Sequence, residues 1–251
     1  MTAIPRIEPP GRLSALRQPA VRRPGSARRT LGRPQPGATL NPREAACLEV
    51  VYRLAELIES SDRYTFGHCA RVAAYAVDVA RSLAFDGHQV TTVRIGAYLH
   101  DLGKVRVPAE ILNKPGPLGP EENELIREHP LWGVELLAAI DLPWDIKPII
   151  RWHHERYDGS GYPHGLCGDA IPITAQIVGI ADAFDALTTT RSYRPAVSID
   201  QAVLEMQGNR QQWHPEVYRA FLDTITPQQP VQCRTTPWRR STAMVESIGS
   251  A

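Results

Sequence analysis

The sequence predicts an all-α protein, and three observations carry that prediction. Apolar residues recur at intervals of three and four through most of the stretch 41–225. No alternating apolar–polar run lasts long enough to make a strand. Proline- and glycine-rich stretches such as 114–117 and 158–168 separate the periodic runs as loops would.

Taken in order, the first helix starts at Asn41-Pro42, where Asn41 can cap and Pro42 suits the first turn. Ala46, Leu48, Val51, Leu54, Ala55 and Ile58 then recur at helical spacing, up to a polar break at Ser60-Ser61-Asp62. A second helix spans about 65–83, with Val72, Ala73, Tyr75, Ala76 and Ala80 on its apolar face. Phe85-Asp86-Gly87-His88 reads as a turn, and a strongly apolar third helix covers about 90–102. Pro120-Glu121-Glu122 opens another helix, its acids placed to favour the helix dipole. Pro130 predicts a kink or a new start just after His129. Helical pattern continues over 131–140 and 144–152, then over 173–187, 199–206 and 215–222.

Charge divides the chain. Residues 1–40 hold eight Arg, no Lys and one acid, Glu8, whereas the rest holds 20 bases against 26 acids. The first 40 residues, rich in Pro, Arg and Gly, read as a disordered basic arm, either a solvated tail or a dock for an acidic partner. Residues 226–251 read as a polar C-terminal tail, which leaves 41–225 as the folded domain. An acidic body argues against specific nucleic-acid binding. Cys47, Cys69, Cys167 and Cys233 form no CxxC pair, so neither a zinc-thiolate site nor a disulfide framework is expected. No run reaches the roughly 18 apolar residues of a membrane span, and no secretory signal is visible, so a cytoplasmic location is expected.

The chemistry concentrates in a few clusters. His153-His154 stands before acids and a glycine-rich loop closed by Tyr162-Pro163, and about fifty residues upstream lies His100-Asp101-Leu102-Gly103-Lys104. Adjacent imidazoles are costly to bury unless their lone pairs are taken up, and a divalent metal does this directly. On one helix, His100, Asp101 and Lys104 would face one site, with Lys104 free to neutralise a phosphoryl oxygen. Any one histidine alone would be a core ring bonded to a carbonyl. His68, His100, His129, His153 and His154 together, all beside apolar residues, point instead to metal. His88, His164 and His214 are expected to be ordinary loop histidines. Asp182 and Asp185 lie in an otherwise apolar helix, where at least one must be paired or metal-bound. Arg191 and Arg194 offer a fork for phosphate, or a solvated helix end.

These pieces, in order, resemble an HD-GYP domain, a group within the HD metal-dependent phosphohydrolases. The likeness covers about 51–221: DRYTFGHCARV from Asp62, HDLGKVRVP from His100, ILNKPGPL from Ile111, His129 to Gly133, HHERYDGSGYPHGL from His153 and ADAFDALTTTRSYR from Ala181. The resemblance implies an HD-domain helical bundle that hydrolyses cyclic di-GMP to pGpG, and in some members on to GMP, through a hydroxide bridging two metals. It implies His68, His100, Asp101, His129, His153, His154 and Asp182 as metal ligands, with Asp101 as the bridge. Lys104, Arg191 and Arg194 would hold the scissile phosphate, and Gly161, Tyr162 and Pro163 would shape the loop beside the substrate. His100, Asp101 and Lys104 would be the catalytic core. Some members carry a glutamate four residues before the first histidine ligand and bind a third metal. Tyr64 stands there in this chain, so two metals are expected, iron or manganese by family. Docking to diguanylate cyclases and homodimerisation are further family implications. The competing readings are a hydrolase of another nucleotide and a catalytically weak sensor or docking module.

Overall fold

The computed structural model describes residues 41–61, 67–190 and 195–225. The basic arm, the C-terminal tail, Cys233, Tyr64, Arg191 and Arg194 lie outside the described residues. Within them the chain is helical, with no strand. The elements are α1 (Pro42–Ser61), α2 (His68–Ser82), α3 (Gly87–Leu99), α4 (Ala109–Leu112), α5 (Pro120–Arg127), α6 (His129–Leu136), α7 (Lys147–Trp152), α8 (Ile173–Thr188), α9 (Ile199–Gly208) and α10 (Pro215–Ile225). Three 3-10 turns punctuate them at Leu102–Arg106, Gly168–Ala170 and Arg210–Gln212.

Local chemistry sets the helix starts. Asn41 Oδ1 accepts from the Glu44 amide while Glu44 Oε2 accepts from the Asn41 amide, each at 2.9 Å. Asp86 and Gln89 form the same reciprocal pair at α3, which places His88 inside the first turn rather than in the expected turn. His214 is more than a loop histidine, because its Nδ1 accepts from the Glu216 amide at 3.2 Å at the start of α10. Pro130 and Pro148 sit in the first turns of α6 and α7, where a missing N–H costs nothing, so Pro130 marks a new start rather than a kink. The helix expected over 131–140 stops at Leu136, where 138 and 140 close i−3 turns instead, and the next begins only at Lys147.

The core gathers around α8. Ala175, Ile177, Val178, Gly179, Ile180, Ala181 and Phe184 are all buried, so this helix is covered on most of its circumference. It packs against α2, α7 and α10. Phe184 meets Tyr75 of α2 and Phe221 of α10 edge-on, with ring centroids 5.2 and 5.1 Å apart. Truncating Phe184 to alanine would cost about 3–5 kcal/mol through lost burial and the cavity left behind. Two glycines are fixed by close approach rather than by φ. A Cβ on Gly103 would lie 1.9 Å from the His129 carbonyl oxygen, and one on Gly179 would lie 2.4 Å from that of His153. Their absence of side chain brings the 3-10 turn onto α6, and α8 onto the end of α7.

Candidate metal centre

The helix ends deliver the polar residues. His68 opens α2, His100 caps α3, His129 opens α6 and His153 caps α7. Asp182 comes from the middle of α8. The third helix stops at Leu99, short of the expected 102, so His100, Asp101 and Lys104 do not share an α-helix. Chain tightening into a 3-10 turn changes the register, and in that geometry positions i and i+3 eclipse. Lys104 Nζ accordingly lies 2.7 Å from Asp101 Oδ2. Lys104 neutralises the central carboxylate here, where the sequence pointed to phosphate contact alone.

Two groups of donor atoms converge: His68, His100 and Asp101 form one, and Asp101, His129, His153 and His154 the other, each with its donor atoms within 4.8 Å of one another. Asp101 belongs to both. Its Oδ2 lies 3.3 Å from His100 Nε2 and 3.8 Å from His68 Nε2, while Oδ1 lies 3.3 Å from His129 Nε2. Asp182 Oδ1 is 3.4 Å from His68 Nε2 and 3.9 Å from His100 Nε2, which brings it to the first group. His68, His100, Asp101, His129 and His153 are essentially inaccessible to solvent.

The other ring nitrogens decide what this arrangement can hold. His100, His129 and His153 donate from Nδ1 to the carbonyl oxygens of Ala97, Ile126 and Ile150 at 2.8, 2.7 and 2.9 Å. A carbonyl only accepts, so each Nδ1 carries the proton and each neutral ring presents a bare Nε2 lone pair. His68 Nδ1 is fixed in the same sense by Asp185 Oδ2 at 2.8 Å. The Nε2 atoms of His68 and His100 then stand 3.3 Å apart, and those of His129 and His153 3.4 Å apart, lone pair toward lone pair. Asp101 Oδ1 is buried with no hydrogen bond. Such a set is unfavourable by itself and is satisfied by divalent cations, so these residues fit the metals the resemblance implies.

Electrostatics agree with ligation. Burial would raise Asp101, but His100, Lys104 and His129 outweigh it and hold its carboxyl well below the usual range. Burial, reinforced by neighbouring imidazoles, pushes His153 and His154 well below an ordinary histidine and keeps them neutral. His100 moves the other way, because Asp101 and Asp182 outweigh its burial.

Several residues around the ligand atoms were not singled out by sequence reasoning. Asp185, one turn beyond Asp182, holds His68 and is itself clamped by Arg71, whose Nε and Nη2 donate at 2.6 and 3.0 Å. The expectation that one acid of α8 must be paired is met at Asp185. Glu155 is buried and accepts from the amides of His164 and Leu166 at 2.7 and 3.0 Å, which fastens the glycine-rich loop. Tyr162 stacks on His154 with centroids 4.6 Å apart, so the loop touches the donor set through this ring. Gly161 is required by proximity, since a Cβ there would meet the Arg156 amide nitrogen at 2.4 Å. His164 stays in the loop as expected and accepts from Trp152 Nε1 at 3.2 Å. Only the acid-rich character of HHE and the second aspartate of α8 hinted at these supports in the sequence.

A helical bundle whose helix ends converge on a shared aspartate defines an HD-type metal centre, and comparison with known proteins agrees. Residues 53–217 match the HD domain family. The chain belongs to that family, and to its HD-GYP group. It is 39% identical over 175 residues to the cyclic di-GMP phosphodiesterase response regulator RpfG of Xanthomonas campestris pv. campestris, covering 69% of this chain and 46% of that protein. It is 37% identical to the 3'3'-cGAMP-specific phosphodiesterase 2 of Vibrio cholerae, covering 70% and 34%. Bd1817, an HDG"Y"P protein from Bdellovibrio bacteriovorus, superposes with a TM-score of 0.52 at 25% identity, covering 62% of this chain and 51% of that one. The chain spans less than half the length of these curated relatives. Among the described residues no helix is long and apolar enough to cross a membrane.

Proposed function

We propose that the protein is a metal-dependent phosphodiesterase that hydrolyses cyclic di-GMP to pGpG and, in a second cut, to GMP. The observation that carries this reading is Asp101 shared between two histidine groups whose Nδ1 atoms are all anchored. His68, His100, Asp101 and Asp182 would hold one divalent metal, and Asp101, His129, His153 and His154 the other. When bound, the metals supply Lewis acidity toward a phosphodiester and lower the pKa of water. The donor set contains no thiolate, which suits iron or manganese. The count of two rests on these two groups and on Tyr64, outside the described residues.

The chain's own groups do the rest. Asp101 stays ionised at the centre, with Lys104 Nζ beside it to offset charge gathering on the phosphoryl oxygens. Burial, with Asp101 and Asp182 nearby, pushes the Tyr162 phenol above its ordinary range, so its hydroxyl acts toward substrate as a donor and not as a base. Glu155 holds Gly161-Tyr162-Pro163 in place beside the metals, and Arg191 and Arg194 complete the phosphate contacts. The catalytic unit is 41–225, in the cytoplasm. Docking to diguanylate cyclases and homodimerisation rest on the resemblance alone.

A second substrate reading has its own support. The relative named 3'3'-cGAMP-specific is nearly as similar as the one named for cyclic di-GMP. Initial rates of anaerobically reconstituted protein on both dinucleotides and a panel of nucleotides separate the two, with cyclic di-GMP expected to be turned over fastest. Faster cleavage of 3'3'-cGAMP would transfer the assignment to that substrate. Tight cyclic di-GMP binding without turnover by fully metal-loaded protein would favour the sensor reading.

A further inference from the structure

Arg127 ends α5, two residues before His129. Its guanidinium carbon lies 4.5 Å from the centroid of the Tyr162 ring, the same ring that stacks on His154. It is the one cation on a helix otherwise rich in acid, with Glu121, Glu122 and Glu124 before it and Glu128 after it. Glu124 stands one turn back and suits an i,i+3 pair, yet Arg127 forms no ion pair with it or with any other described residue. Elsewhere on the surface the arginines do take such partners, as Arg53 does with Glu49 and Glu56. The side chain is exposed. A guanidinium resting on a ring engages through its flat face, and its five in-plane N–H donors remain available to an anion.

We infer that Arg127 binds the second, non-scissile phosphate of a cyclic dinucleotide. The inference rests on the phosphodiesterase reading above. A cyclic dinucleotide carries two phosphates in one small ring. With one of them at Asp101 and Lys104, the other must lie a short way off, and it cannot approach the acids of α5 without a countercharge. Tyr162 spans the interval from His154 to Arg127, and it presents the guanidinium at the rim of the same cleft. The bland alternative is a basic side chain that merely complements the C-terminal end of the α5 dipole.

The test compares two substrates on the metal-loaded protein: cyclic di-GMP, with two phosphates, and bis(p-nitrophenyl) phosphate, with one. Arg127→Met is expected to raise KM for cyclic di-GMP at least roughly tenfold, as loss of a charge-assisted hydrogen bond does, with a much smaller effect on kcat. The loss of kcat/KM on the cyclic dinucleotide should exceed that on the single-phosphate diester by about the same factor, and Arg127→Lys should recover part of it. Equal losses on the two substrates, or none on either, overturn the inference. Should Arg127→Met fail to fold, Arg127→Lys and the salt dependence of the unaltered protein give the same reading. KM for cyclic di-GMP should then climb with ionic strength more steeply than KM for the diester, and parallel slopes count against Arg127. If the unaltered protein cleaves the diester but no cyclic dinucleotide, the substrate reading fails first and this inference with it.

Discussion

The two donor groups that meet at Asp101 are built by different means. His129 and His153 are oriented by carbonyls three residues earlier in the chain, so ordinary helix-end geometry sets their rings. His100 in the other group is held the same way. His68 is not, because its Nδ1 depends on Asp185, which lies 117 residues away and is itself clamped by Arg71. One group is therefore fixed by local backbone and cannot be loosened by trimming a supporting side chain. The other leans on a long-range charged network that a single substitution can cut. The neighbourhoods also shift histidines in opposite directions: His153 and His154 down, His100 up.

The comparison breaks most visibly at the ligands. His68→Ala and His129→Ala should each remove one metal per chain and reduce turnover by at least about a hundredfold, while metal analysis shows the opposite group still filled. Loss of both metals from either variant would mean that the groups do not fill independently. A smaller, one-sided effect is expected from Asp185→Asn. It should weaken metal at the His68 group by roughly 10–100-fold, read by chelator competition, with the His129 group unaffected. Equal weakening at both would contradict the division.

Acid sharpens the comparison in metal-free protein. His153 and His154 have folded pKa values below the unfolded value of about 6.5, so their contribution is present above that pH and is lost as pH falls toward the folded values. His100 has the opposite sign: its contribution is full below about 6.5 and lost as pH rises through its raised folded value. With two downward groups against one, the midpoint of thermal unfolding should fall between about pH 7 and pH 5. Adding metal should raise stability at pH 7 more than at pH 5, since protons compete for the same Nε2 atoms. A metal-free midpoint that rises on acidification would reverse the assignment.

The smallest effect lies outside the centre. Ala84 follows α2 in the left-handed conformation at φ 58, with Phe85 and Ala84 amides bonded to the carbonyls of Ala80 and Arg81. Ala84→Gly should stabilise the fold by about 0.5–1 kcal/mol, measured by denaturant unfolding, with metal content unchanged.

What could be read from the sequence follows the same division. Helical periodicity exposed nearly every element, and the motif spacing named each residue that now lines the centre. Where signals were local, as with Asn41 capping α1 or Pro130 restarting the chain at α6, the reading was direct. The end of α3 was misplaced because the apolar pattern runs on through Leu102, while the backbone tightens one turn earlier to seat Gly103 against His129. Arg71, Glu155 and Arg127 stayed silent because their roles exist only through contacts remote in sequence. Nothing near Arg127 along the chain announces Tyr162, and nothing in Glu155 reveals the two amides it holds.

Asp101 is where the two groups become one site, and metal stoichiometry tests that most directly. Protein purified without oxygen and reconstituted with iron or manganese should carry two metals per chain, and Asp101→Ala, if folded by circular dichroism, should lose both along with turnover. A folded Asp101→Ala variant that keeps two metals, or an unaltered chain that binds no more than one, would contradict the shared-aspartate centre.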